Sequence, residues 1–231
     1  MGQHTQRVGV RRTRTGLLAL TSAAIIGINI IGVNTLGSGP AAAGPASVES
    51  GGSEVSRNDG LAPIAEVALR DLQLIRSGDA GATTDYEGLR TAIATEIARR
   101  VDIDPARMIQ AWEAADPAHQ AALMAAFTQL GVPYRRMASK PGVGLDCSGL
   151  TTFAWGAAGV TLTRQSGAQI KAASPRSHET AMAGDLVYYP GHVMMYLGVD
   201  NTIIHSPYTG RRVEVDRFST RKSVKFGNPI G

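Results

Sequence analysis

The chain has 231 residues, 43% of them hydrophobic and 5% aromatic, with a formal net charge of +4. That length and apolar content suit one or two packed domains. A single cysteine leaves nothing with which to build a cysteine-rich zinc or iron–sulfur site, and no repeat of 20–50 residues points to a solenoid. The glycine pair in Gly37-Ser38-Gly39 follows no strand and opens no helix, so no phosphate loop is expected.

The N-terminus has the pattern of an export signal. Arg7, Arg11, Arg12 and Arg14 form a basic segment, and no further charge occurs until Glu49. Leu17 to Val33 is mostly apolar, and Ala41-Ala42-Ala43 offers a small-residue cleavage site. Residues 1–43 therefore read as a signal peptide or, because the apolar run is long, an uncleaved membrane anchor. Either way the arginines stay inside and the remainder is exported, to be secreted or held at the cell surface. Residues 44–60, rich in Gly, Pro, Ala and Ser, read as a flexible linker.

Residues 61–115 read as a helical region. Leu61, Ile64, Ala65, Ala68, Leu72 and Ile75 form one apolar stripe, and Leu89, Ile93 and Ile97 another. Asp104-Pro105 and Asp116-Pro117 each pair a capping aspartate with proline at the first helical position. The second pair opens a helix through Leu130 that ends at Gly131, and Pro133 prevents a restart. His119, in the first turn of that helix, reads as a surface residue. Charge is uneven: residues 49–130 carry 13 acidic and 7 basic side chains, and residues 131–231 carry 6 acidic and 12 basic.

Cys147 lies in Gly144-Leu145-Asp146-Cys147-Ser148-Gly149-Leu150. In an exported chain a lone cysteine has no partner for an internal disulfide. Leu150, Phe153, Ala154, Ala157 and Ala158 fall on one helix face, and Gly159 suits the helix end. Asp146 suits the N-cap. Cys147 then sits in the first turn, where free amides and the helix dipole favour a thiolate.

Two histidines supply a basic partner. His192 opens one strand of a hairpin and His205 closes the other. With Gly198-Val199 as the turn the two face each other directly, about 5 Å apart at Cβ. A turn at Asp200-Asn201 would pair His205 with Tyr196 instead. Leu186 to Tyr189 reads as a preceding strand, and Arg212 to Val215 as a final one. His178 sits in a polar loop and reads as surface.

These pieces resemble the NlpC family of papain-like cell-wall peptidases. The resemblance rests on Gly131-Val132-Pro133-Tyr134, Asp146-Cys147-Ser148-Gly149-Leu150, Arg164-Gln165-Ser166-Gly167-Ala168-Gln169, Ala183-Gly184-Asp185-Leu186, Gly191-His192-Val193 and Ile204-His205. It implies an α+β, papain-like domain over 116–231, with the nucleophile helix packed on a mostly antiparallel sheet and helices before it. It also implies Cys147 as nucleophile, His192 as general base and then acid, and His205 as the group orienting His192, with no metal or cofactor. Tyr134, Asp146, Ser148 and Arg164 become substrate-binding candidates. Tyr134 is as readily a packing residue, and Asp146 is foremost a cap. Arg164 suits a carboxylate clamp on a stem peptide, and Gln169 either packs below it or donates to the site. Arg135-Arg136-Met137 replaces the family's usual tryptophan and glycines, so the cleft rim should differ.

The implied activity is a secreted endopeptidase cutting peptidoglycan stem peptides, at the bond between γ-D-glutamate and diaminopimelate. The implied partners are those peptides and the anionic wall, with no nucleic acid, and membrane only through the N-terminal segment. The rival readings are a muramoyl-L-alanine amidase, a vestigial wall-binding module and, more distantly, an acyltransferase.

Overall fold

The computed structural model describes residues 59–221 and 223–231. The expected signal or anchor and nearly all of the linker lie outside these residues. Among the described residues no helix is long and apolar enough to cross a membrane.

Four α-helices lead the described residues: α1 (Leu61–Arg76), α2 (Thr83–Arg100), α3 (Pro105–Glu113) and α4 (Pro117–Phe127). Both Asp-Pro signals act as their chemistry dictates. Asp104 accepts from the Ala106 amide, and Asp116 from those of Ala118 and His119. The α1 stripe is buried through Leu61, Ala65, Ala68 and Leu72. Helix α4 is buried at nearly every position and forms the centre of the helical layer.

The two short strands β1 (Ser139–Lys140) and β2 (Gly144–Leu145) then lead into α5 (Cys147–Ala157). Helix α5 lies between α4 and the main sheet. After α6 (Ser166–Ala172), six strands complete the fold: β3 (Ser174–Arg176), β4 (Leu186–Tyr189), β5 (His192–Tyr196), β6 (Thr202–His205), β7 (Glu214–Arg217) and β8 (Lys225–Asn228). They form one antiparallel sheet in the order β3-β8-β4-β5-β6-β7. A helix layer on such a sheet is the α+β, papain-like class.

Three expectations are corrected. The strand near Arg212–Val215 is not the last: β7 occupies 214–217, and β8 returns to lie between β3 and β4. Lys225-Phe226-Gly227-Asn228 lacks the β-branched alternation that announces a strand. Its glycine is there for close approach, because a Cβ on Gly227 would lie 2.8 Å from the Ala173 Cβ and 2.9 Å from the Ile170 Cδ1.

The β5–β6 register also differs, pairing Met195 with Ile204 and Tyr196 with Ile203. The connection spans Gly198 to Asn201, closed by the Leu197 amide on the Thr202 carbonyl. Gly198 and Asp200 both take positive φ there, whereas the Gly198-Val199 turn asks this only of the glycine. His192 and His205 are thus diagonal rather than directly opposed. A shift of two keeps them on the same face.

His119 is not a surface residue. It is fully buried, with Nδ1 2.7 Å from Asp116 Oδ2 and Nε2 3.0 Å from Asp185 Oδ1. Its ring meets Trp155 edge-on at 4.9 Å. The Gly184-Asp185 turn wraps this imidazole: a Cβ at Gly184 would sit 3.0 Å from His119, and φ there is +101°. His119 therefore ties the start of α4 to the turn that launches β4.

One apolar core runs from Leu61 to Val213 and joins the helices to the inner sheet face. A smaller cluster of Val187, Met194, Tyr196, Ile203, Phe218 and Phe226 covers the other face. His178 is exposed, as expected, and stacks on Phe226 at that cluster's edge.

Gly227→Ala is expected to destabilise the fold by about 1–3 kcal/mol, because β8 and α6 must separate to admit one methyl group. Urea unfolding of the variant beside the parent checks this, and an unchanged midpoint would mean that β8 and α6 separate at no cost.

Candidate active site

Asp146 builds the tip of α5. Its Oδ1 accepts from the Gly149 amide at 2.7 Å, which makes it the N-cap. Cys147 is thereby the first residue of the helix, in a turn whose leading amides have no intrahelical acceptors. Gly149 is required by crowding, since a Cβ there would fall 2.2 Å from the Ala138 carbonyl oxygen. That oxygen accepts from the Asp146 amide at 3.0 Å and from Arg164 at 3.2 Å.

Arg164 lies across the helix tip and remains partly exposed. It donates to Asp146 Oδ2 at 2.6 Å and to Ser148 Oγ at 2.7 Å. The expected carboxylate clamp is thus already closed on a carboxylate of its own chain, and Arg164, Asp146 and Ser148 form one network at the helix tip. Gln169 is buried and accepts from Thr151 Oγ1 at 2.7 Å. It donates to the carbonyls of Ser148 and Thr163 at 3.1 and 2.8 Å. It braces α5 from behind rather than facing the cleft.

The histidines approach from the sheet. His192 Nε2 lies 3.0 Å from His205 Nδ1, with ring centroids 5.2 Å apart and both residues buried. The diagonal register is close enough for rings of this size. Tyr189, opposite His192 in the β4–β5 hairpin, packs against it at 5.3 Å. Ser206, one residue after His205, donates to the Leu145 carbonyl, two residues before Cys147, at 2.7 Å. This bond ties the end of the histidine strand to the segment entering the cysteine helix.

A cleft of ≈ 520 Å³ opens above these groups. Cys147, Tyr134, Arg136, Met137, Asp146, Ser148, Arg164 and Gly191 are among the residues that line it. Gly191 directly precedes His192, so Cys147 and the start of the histidine strand share one cavity. None of its lining residues comes from α1 to α4. Burial raises the pKa of the Tyr134 hydroxyl, with the charges of Cys147 and Asp146 adding to the effect. Met137, at the rim, is 81% exposed and takes φ +59°. The departure from the family's pattern therefore lies on the lip of the cleft.

Burial above all, then the neighbouring His192 and Arg211, pushes the His205 pKa down to about 3. Two residues that matter here carry no sequence signal of their own. Ser206 belongs to no motif, and Glu214 becomes visible only once the β6–β7 register pairs it with His205.

A thiol on a helix tip, in one cleft with the start of a central strand that carries one of two paired, buried imidazoles, defines the class of cysteine–histidine α+β domains. Residues 131–226 match the NlpC/P60 family. The chain is 36% identical over 99 residues to the gamma-D-glutamyl-L-lysine dipeptidyl-peptidase of Bacillus cereus, covering 39% of this chain and 29% of that protein. It is 34% identical over 109 residues to the peptidoglycan endopeptidase RipA of Mycolicibacterium smegmatis, covering 40% and 22%. A probable endopeptidase of Corynebacterium glutamicum is 40% identical over 105 residues, covering 44% and 48%. The chain thus spans less than half the length of each of these relatives. The solved P60 domain of an antigen from M. avium subspecies paratuberculosis is 27% identical with a TM-score of 0.43, covering 49% of this chain and 96% of that one.

The depressed His205 pKa sets a stability trend. Between pH 6.5 and pH 3 the unfolded imidazole binds a proton that the folded one refuses, so the unfolded state gains. Stability from this group is whole above pH 6.5 and falls as pH drops toward 3. Replacing His205 with Gln removes the term. Urea unfolding across this range should show wild type losing stability relative to His205→Gln on acidification, and parallel curves would contradict the assignment.

Proposed function

We propose that this protein is an exported peptidoglycan hydrolase, a cysteine endopeptidase that cuts stem peptides at the γ-D-glutamyl–diaminopimelate bond. The observation that carries this reading is the placement of Cys147, on a helix tip and in one cleft with the strand that begins at His192. The wall-peptidase names of the relatives support the substrate class, and the basic, apolar N-terminal segment supports export.

In this mechanism His192 takes the Cys147 thiol proton as sulfur attacks the scissile carbonyl. The oxyanion meets backbone N–H groups at the start of α5. The C–N bond then breaks, and His192 returns the proton to the leaving amine, leaving a thioester on Cys147. Water, deprotonated by His192, attacks that thioester and restores the thiol. His205 holds the His192 ring in place, and Tyr134, Asp146 and Ser148 shape the cleft around the substrate.

Charge in the cleft suits an anionic peptide. Asp146 and Arg164 neutralise one another, which leaves Arg136 as the uncompensated charge among the lining side chains named above. Arg136, rather than Arg164, therefore reads the substrate carboxylate.

Cys147→Ala should abolish hydrolysis of purified muropeptides with no change in the fold. Mass spectrometry of wild-type products should show a new amino terminus on diaminopimelate. A new terminus on L-alanine would instead establish the amidase reading, and no cleavage of any muropeptide would indicate a wall-binding module. Arg136→Ala should raise KM about two- to fivefold for peptides with free carboxylates, the range of an exposed ion pair, and leave amidated peptides unaffected. Equal effects on both peptide classes would remove Arg136 from carboxylate recognition.

A further inference from the structure

His205 has two ring nitrogens, and only one is accounted for by the contact with His192. The other, Nε2, is buried and makes no hydrogen bond. Glu214 is the residue paired with His205 across β6 and β7, and its Oε1 lies 3.6 Å from that nitrogen. An approach of about half an ångström would bring the two into hydrogen-bond range. The carboxylate is itself held in position, with Arg211 donating to Oε1 at 2.5 Å and to Oε2 at 3.2 Å. Asp216 lies on the same strand face, its carboxylate within 4.8 Å of both groups.

Counting protons shows what this arrangement selects. Two neutral imidazoles joined nitrogen to nitrogen share one hydrogen, and each carries one N–H in total. In the first arrangement His192 Nε2–H donates to His205 Nδ1. The His205 proton is then on Nε2, and His192 Nδ1 is unprotonated, the form that can take the thiol proton. In the second, His205 Nδ1–H donates to His192 Nε2. The His192 proton is then on Nδ1, and that nitrogen cannot act as a base. An ionised carboxylate only accepts hydrogen bonds, so beside His205 Nε2 it favours the first arrangement and disfavours the second. Burial disfavours a charge on the His205 ring itself.

We propose that Glu214 is a positioning residue which holds the His205 proton on Nε2 and so keeps His192 Nδ1 unprotonated, in the form that can accept the proton of Cys147. The proposal rests on the hydrolase reading of Cys147, His192 and His205, but its test does not require a substrate. Cys147 is the only cysteine in the chain, so alkylation by iodoacetamide reports on that thiol alone.

The experiment compares the full-length wild-type protein with Glu214→Ala and Glu214→Gln. Long-range nitrogen–proton NMR reads the His205 tautomer, and alkylation at pH 7 reads thiolate availability. Wild type should show His205 protonated on Nε2. Glu214→Ala should mix the tautomers and slow alkylation, with kcat on muropeptides falling at least about tenfold while KM holds, as expected when an orienting partner is lost. Glu214→Gln should stay close to wild type, because Arg211 keeps an amide oxygen, still an acceptor, toward His205. A role confined to packing or to the Arg211 ion pair would leave the tautomer unmoved in both variants. His205 protonated on Nδ1 in wild type, or an unchanged tautomer and alkylation rate in Glu214→Ala, would overturn the proposal. An inactive wild type with the expected tautomers and alkylation rates would instead count against the hydrolase reading and leave the proton placement standing.

Discussion

The site is organised by one carboxylate with two obligations. Asp146 Oδ1 caps α5 through the Gly149 amide, and Oδ2 grips Arg164. The cap fixes where the helix begins and therefore that Cys147 is its first residue. The grip ties the loop after α5 back over the helix tip, with Ser148 and the Ala138 carbonyl drawn into the same knot. Buried polar groups of this kind are tolerable only when fully partnered. The same side chain that starts the helix therefore also cancels the charge of the arginine above it, which leaves the cleft's cationic character to its rim.

Much of this was legible in the sequence because local chemistry sets it. A capping aspartate before an apolar helical stripe places Cys147, and two Asp-Pro pairs open α3 and α4, without tertiary information. The two histidines were recoverable as a pair by strand periodicity, which survives a register shift of two. Their true register was not, because it depends on which residues of the connection accept positive φ. Gly198 announces that tolerance and Asp200 does not.

What was not legible belongs to contacts distant in sequence. Strand β8 has weak intrinsic preference and exists because β3 and β4 leave a place between them that only a residue as small as Gly227 can fill against α6. His119 looked like a solvated first-turn histidine, since nothing nearby in sequence reveals Asp185, 66 residues on, as its second partner. Arg164 was chemically suited to a substrate carboxylate, and its interception by Asp146 appears only when the loop folds back.

The family match begins at residue 131, yet the core does not. Trp112 and Phe127, in contact at 5.1 Å, lie before that boundary and are among the largest fully buried side chains. Trp112 Nε1 donates to the Leu197 carbonyl, Arg107 pairs with Asp200, and a Cβ on Gly198 would stand 2.9 Å from the Ala111 Cβ. Helix α3 is thus moulded to the connection that joins the two histidine strands. The unit of homology is smaller than the unit of packing. In evolutionary terms α3 and residues 197–200 cannot drift independently: a larger side chain on one must be matched by a recess in the other. Recombination at the edge of the matched segment would separate the histidine hairpin from the surface that shapes it.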